Sequence, residues 1–158
     1  MLTHTNDHGE ASMVDISAKP VSHREAIATG RIKLAPATLE LIRANEIQKG
    51  DVLAVARVAG IQAAKQTQNL IPLCHQIPLA KVGVDFVMTH EGVVATATAT
   101  TLAQTGIEME ALTAVSVALL TIYDMCKAVD KSMHLDGIHL VKKTKSAPPD
   151  NGYHPHRG

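Results

Sequence analysis

A chain of 158 residues fits one domain of ordinary size, and 46% hydrophobic against 19% charged residues can bury a core rather than stay disordered. Lys+Arg and Asp+Glu both number 15, and the aromatic set is Phe86, Tyr123 and Tyr153. This excludes a broad basic face for nucleic acid and base stacking on aromatic side chains, and it leaves Ala, Val, Ile, Leu and Met to build the core.

Residues 1–12 are polar and are expected to be a flexible segment, without the basic-then-apolar pattern of a secretory leader. Met13–Ile16 is a short apolar run able to pair as a strand. Ser22 to Leu34 alternates raggedly and reads as a strand. Pro36 opens a short helix carrying Leu39, Leu41 and Ile42. Asp51 caps a second helix, reaching Gln66, whose Ala54, Ala56, Ala59, Gly60, Ala63 and Ala64 allow close approach to a neighbour. NLIPLCHQIP, bracketed by Pro72 and Pro78, is irregular and largely apolar.

Leu79–Thr89 and Val93–Leu102 form a hairpin across the turn His90-Glu91-Gly92. Glu108–Lys131 reads as a long helix, apolar on most sides and so buried. His134–Lys143 is a last strand, and 144–158, rich in Pro and His, reads as a disordered tail. The order predicts a single α+β domain over 13–143, with helices on one face of an antiparallel sheet. No apolar run approaches membrane-spanning length. Two cysteines, Cys74 and Cys126, are too few for a disulfide framework and suit a reducing cytoplasm.

In the long helix, Glu110, Asp124, Lys127 and Lys131 fall on one stripe at helical spacing. A solvated helix end with an i, i+3 ion pair accounts for it at a few tenths of a kcal/mol, roughly. An acid/base site also accounts for it, with Asp124 and Lys127 tuning each other and desolvation lowering the lysine pKa. Glu108 and Glu110 suit the positive end of the helix dipole. Lys49, before Gly50-Asp51, stands at a helix start able to receive phosphate. The sequence has no glycine-rich phosphate loop, so phosphate recognition falls to separate Lys and Arg residues: Arg24, Lys49, Arg57, Lys65, Lys127 and Lys131. Cys74-His75 has no further ligands at metal-binding spacing, and adjacent residues rarely form a nucleophile pair. No metal site is expected, and no role is assigned to His154 or His156.

Several strings carry more information than any of these alone: MVDIS at 13–17, KGDVLAVARVAGIQAAKQT at 49–67, LIPLCH at 70–75 and TGIEMEALTAVSVALLTIYDMCKAVDK at 105–131. With them the sequence resembles the molybdenum-cofactor biosynthesis protein C family, the cyclic pyranopterin monophosphate synthases, over nearly the whole chain. The resemblance implies a ferredoxin-like fold and a lyase. Its substrate would be 3′,8-cyclo-7,8-dihydroguanosine 5′-triphosphate and its products cyclic pyranopterin monophosphate and pyrophosphate. It also implies a homo-hexamer, a trimer of dimers with the active site at the dimer interface. No protein-bound cofactor is implied, though Mg²⁺ can accompany the triphosphate.

By motif, Asp124, Lys127 and Lys49 match the catalytic residues. Leu73, Cys74, His75, Met109 and Glu110 match the substrate-binding strings, and Lys65, Lys131, Arg24 and Glu108 are expected in the pocket. Two departures stand out. KKTKSAPPDNG replaces a glycine-rich KSGGKSG-like ending, and Gln76 replaces the proline that commonly follows Cys-His. Two other readings fit a lysine-bearing pocket. One is a homologue that binds the ligand without turnover, and the other is a Schiff-base lysine enzyme.

Overall fold

Strands form where small or β-branched residues alternate with polar ones, and helices form where apolar residues return every three or four positions. The computed structural model of the protein describes residues 8–149. In chain order the elements are β1 (Ser22–Lys33), α1 (Pro36–Arg43), α2 (Val52–Lys65), α3 (Thr67–Leu70), β2 (Lys81–Met88), β3 (Gly92–Ala103), α4 (Glu108–Cys126) and β4 (His134–Ser146). The four strands make one antiparallel sheet in the order β2-β3-β1-β4. With α2 and α4 as the connecting helices, this is the ferredoxin-like βαββαβ arrangement that the resemblance implied.

The helix-facing side of the sheet is made of small residues. Ala26 and Ala28 of β1 and Ala95, Ala97 and Ala99 of β3 are almost wholly buried, with Val84 of β2 beside them. This lets α4 lie close on the strands, and its Val115, Leu119 and Ile122 are completely buried. Each such side chain contributes roughly 1.5–3 kcal/mol of transfer free energy. The small-residue character of α2 has the use expected of it. A Cβ on Gly60 would stand 2.9 Å from the Ala114 carbonyl oxygen and 3.3 Å from the Ala118 methyl, so α2 and α4 touch almost backbone to backbone. Gly60 meets the middle of α4 and Lys49, just before α2, meets its end, so the two helices run antiparallel.

Four expectations are corrected. Met13–Ile16 forms no strand: the Asp15 carboxylate accepts from Ser17 N–H at 2.9 Å, and Lys19 N–H donates to Ile16 O, turning the chain away. The long helix ends at Cys126, not Lys131, because Val129 N–H and Asp130 N–H both turn back onto the Cys126 carbonyl. Thr67–Leu70 adds a single helical turn before the irregular segment. β4 continues past Lys143 to Ser146, since its last residues still pair with His23, Arg24 and Glu25 of β1. The tail expected to be disordered therefore begins as strand, and its stretch from 150, with His154 and His156, lies outside the described residues, as do residues 1–7 of the N-terminal segment.

One helix also qualifies the absence of a membrane-length run. α4 has the length and a mean hydropathy of 1.4 that would suit a membrane span, but more than half of it is buried against the sheet and α2.

Candidate active site

Asp51 starts α2 by accepting from Ala54 N–H at 3.1 Å, and this fixes the preceding Lys49 beside the C-terminal end of α4. There the Lys49 ammonium lies 2.8 Å from Asp124 Oδ2, and the Lys127 ammonium lies 3.0 Å from Oδ1. One carboxylate thus holds two lysines, one on each oxygen. Hydrogen bonds from Lys49 first, and then from Lys127, keep the Asp124 carboxyl below its ordinary range and therefore ionised. Lys131, beyond the helix, folds back to donate to the Lys127 carbonyl at 2.7 Å. The bland reading of the stripe, an isolated i, i+3 pair, does not account for Lys49 arriving from 75 residues away in sequence. The desolvation expected at Lys127 is not supplied within one chain, because its side chain is 59% exposed.

The other candidates gather at the opposite end of α4. A cavity of about 460 Å³ is lined by Ile71, Leu73, Cys74, His75, Thr105, Gly106, Glu108 and Met109. His75 donates from Nε2 to the Val14 carbonyl at 2.5 Å, which ties the LIPLCH loop to the MVDIS segment. Gly106 leaves room for the Glu108 carboxylate, which would have to move if that position carried a Cβ. Arg24 donates to the carbonyls of Ala103 and Gln104, bracing the loop before α4. Lys65 sits exposed in the last turn of α2, at this same end. Gln76 is exposed in irregular chain after His75. The Cys74 thiol is pushed up by burial and then by the charges of Glu110 and Glu108, so it stays protonated and is a poor nucleophile.

Glu110 is the anomalous residue of this end. It is 4% exposed, and its Oε1 has no hydrogen-bond partner among the described residues. Burial, and secondarily the charge of Glu108, raises its carboxyl to about 7. A raised carboxyl favours folding most below the unfolded value near 4.5, and that advantage is lost as pH rises through 7. Glu110→Gln is therefore expected to leave stability nearly unchanged at pH 4.5. Above pH 8 it should exceed the parent, by about 2–3 kcal/mol at most. Denaturant melts across that range check this, and parallel pH profiles would refute it.

Sequence reasoning missed Lys143, whose ammonium stands 3.6 Å from Glu108 Oε1. The strand period carries the signal: opposite Ala26, Lys143 falls on the helix-facing side. Arg57, a phosphate candidate, is instead spent on the fold. Its Nε donates to the Val84 carbonyl at 2.8 Å and its guanidinium lies over the Phe86 ring. A second cavity, about 480 Å³ between the β2–β3 turn and the start of β4, contains Arg31, His134 and Asp136 but none of the predicted site residues. No group of three or more potential metal ligands occurs among the described residues.

The sequence has close relatives among known proteins. The model of the MoaC family matches residues 13–146. The chain belongs to the MoaC family. It is 57% identical over 143 residues to the cyclic pyranopterin monophosphate synthase of Limosilactobacillus fermentum, covering 90% of this chain and 87% of that protein. The synthase of the same name from Thermomicrobium roseum is 57% identical over 145 residues, with 90% and 87% covered. The one from Nostoc is 55% identical over 145 residues, with 90% and 86% covered. The MoaC match runs to residue 146 and so takes in KKTKS, the first five residues of the altered ending.

Proposed function

We infer that this MoaC-family chain is a cyclic pyranopterin monophosphate synthase of molybdenum cofactor biosynthesis, a lyase, and that Lys49, Asp124 and Lys127 carry its chemistry. The observation that supports the site most directly is the pair of lysine ammonium groups on the two oxygens of one carboxylate. The substrate in this reading is 3′,8-cyclo-7,8-dihydroguanosine 5′-triphosphate. Opening its imidazole ring and rebuilding a pterin requires repeated proton transfers. A lysine oriented by a fixed anion can give and take those protons. Closing the cyclic phosphate requires a sugar hydroxyl to attack the α-phosphorus while pyrophosphate leaves, and lysines neutralise the charge that develops. Lys127 is the main acid/base, Asp124 sets its state, and Lys49 acts on the phosphates or on a second proton transfer. Mg²⁺ in this scheme enters only as a companion of the triphosphate.

The two clusters are 14 residues apart along α4, about 21 Å at the helical rise. Leu73, His75, Met109 and Glu110 are expected to hold the heterocycle on which Lys127 must act, and proton transfer needs hydrogen-bond reach. We therefore propose that the cavity end of one chain meets the lysine end of a partner, in dimers that build a hexamer. Exposed Leu120 and Tyr123, next to Asp124 on α4, offer apolar surface for that contact. The two free thiols are in keeping with a reducing cytoplasm as the setting.

Supplying the cyclised triphosphate to the purified protein tests the reading. The expected products are one pyrophosphate per turnover and a pterin that becomes fluorescent on oxidation. Added EDTA reports on Mg²⁺. Tight binding without turnover would leave a sensor, and a borohydride-trapped adduct with a carbonyl substrate would leave a Schiff-base enzyme.

A further inference from the structure

The approach of Lys49 to Lys127 depends on two segments distant in sequence, and one buried carboxylate joins them. Asp130 is 4% exposed, and each of its oxygens has a separate task. Oδ2 accepts from Ala35 N–H and Thr38 Oγ1–H, both at 2.8 Å, at the start of α1. Oδ1 accepts from Ser132 N–H at 3.0 Å and Ser132 Oγ–H at 3.1 Å, while Asp130 N–H donates to the Cys126 carbonyl. Burial alone would raise this carboxyl, but the bonds from Ala35, Ser132 and Thr38 outweigh it and hold the group below its ordinary range.

The first side of this tie leads through α1 directly into the segment that ends at Lys49. The second side is the turn that carries Lys127 and Lys131. The N-terminal residue of α1 is a proline with no N–H, and Ala35 before it has no side chain able to cap, so Asp130 supplies the cap from outside. Among the described residues, no other side-chain hydrogen bond or ion pair links α1 to the end of α4. We propose that Asp130 is a positioning residue, which fastens the Lys49-bearing segment to the Lys127-bearing turn and so sets the spacing of both lysines on Asp124. The proposal rests on the synthase reading above.

Asp130→Asn tests it. The amide keeps the size of the carboxylate, but its nitrogen must face a backbone N–H, either that of Ala35 or that of Ser132, so one side of the tie opens. The expected result is a loss of kcat of roughly tenfold or more, with KM held within about threefold, since misplaced catalytic groups act on the barrier rather than on binding. Thr38→Val, which removes one of the four bonds, should lower kcat by a smaller factor in the same manner and covers the case in which Asp130→Asn fails to fold. Val84→Ala, a core change on β2 away from the tie, should lower the melting temperature and keep parent kcat. Parent-like kcat in Asp130→Asn, or losses that follow melting temperature across all three variants, would overturn the proposal.

A second readout does not use turnover. After reductive ¹³C-methylation, the Lys127 methyl resonance should move on Asp124→Asn, and should move much less when Asp130→Asn is already present. An unchanged response would also overturn the proposal. A parent chain that neither consumes the cyclised triphosphate nor releases pyrophosphate would overturn the synthase reading, while the resonance comparison would still decide the role of Asp130.

Discussion

Lys127→Ala is expected to reduce pyrophosphate release by roughly a thousandfold, within the range that positioned acid/base groups supply. The loss should appear in kcat, because the side chain acts on protons in flight. Folding should be nearly unaffected: Lys127 lies just past the helix end, 59% exposed, and an exposed ion pair is worth about 0–1 kcal/mol. Its partner predicts a graded companion. Asp124→Asn keeps one acceptor for one lysine but loses the anion that both ammonium groups share. It should therefore be severely impaired yet measurably above Lys127→Ala. Steady-state assays with matched thermal melts check the pair. Near-normal product formation by Lys127→Ala would remove that lysine from the mechanism.

The fold was legible wherever local pattern and tertiary demand agreed. The hairpin across His90-Glu91-Gly92, the Asp51 cap and the small-residue face of α2 all follow from rules that act over a few residues. The misreadings share a cause in contacts from far along the chain. The charged stripe continues at helical spacing to Lys131, but the chain leaves the helix at Cys126, just before Asp130 is captured by Ala35 and Thr38, more than ninety residues earlier in sequence. The apolarity of Met13–Ile16 suits a strand, whereas a side-chain turn at Asp15 and the His75 contact to Val14 hold it irregular. The site shows the same division. Asp124 and Lys127 share a helix turn, so their pairing could be read from spacing. Lys49 joining them could not, and came only through the family motif. Lys143 closes the strand read from sequence, but its place on the helix-facing side follows only from its pairing with Ala26, more than a hundred residues earlier, which no local pattern gives.

Two chains that are each inactive should restore one another. One carries Lys127→Ala and keeps its cavity end. The other carries His75→Ala with Glu110→Gln and keeps its lysine end. If the site draws one end from each subunit, a mixed dimer has one site with both defects and one with neither. Random pairing after joint unfolding and refolding then gives roughly a quarter of parent activity. Within one chain the ends of α4 stand about 21 Å apart, so no local adjustment restores activity in either variant alone. The exposed Leu120 and Tyr123 beside Asp124 are where the partner would exclude water, supplying the low-dielectric surroundings that a lone chain does not give Lys127. Absence of recovery, with subunit exchange verified by two affinity tags, would mean that each chain acts by itself and that the two ends of α4 serve different steps. Recovery to the expected fraction would fix the cavity and the lysines as two halves of one site.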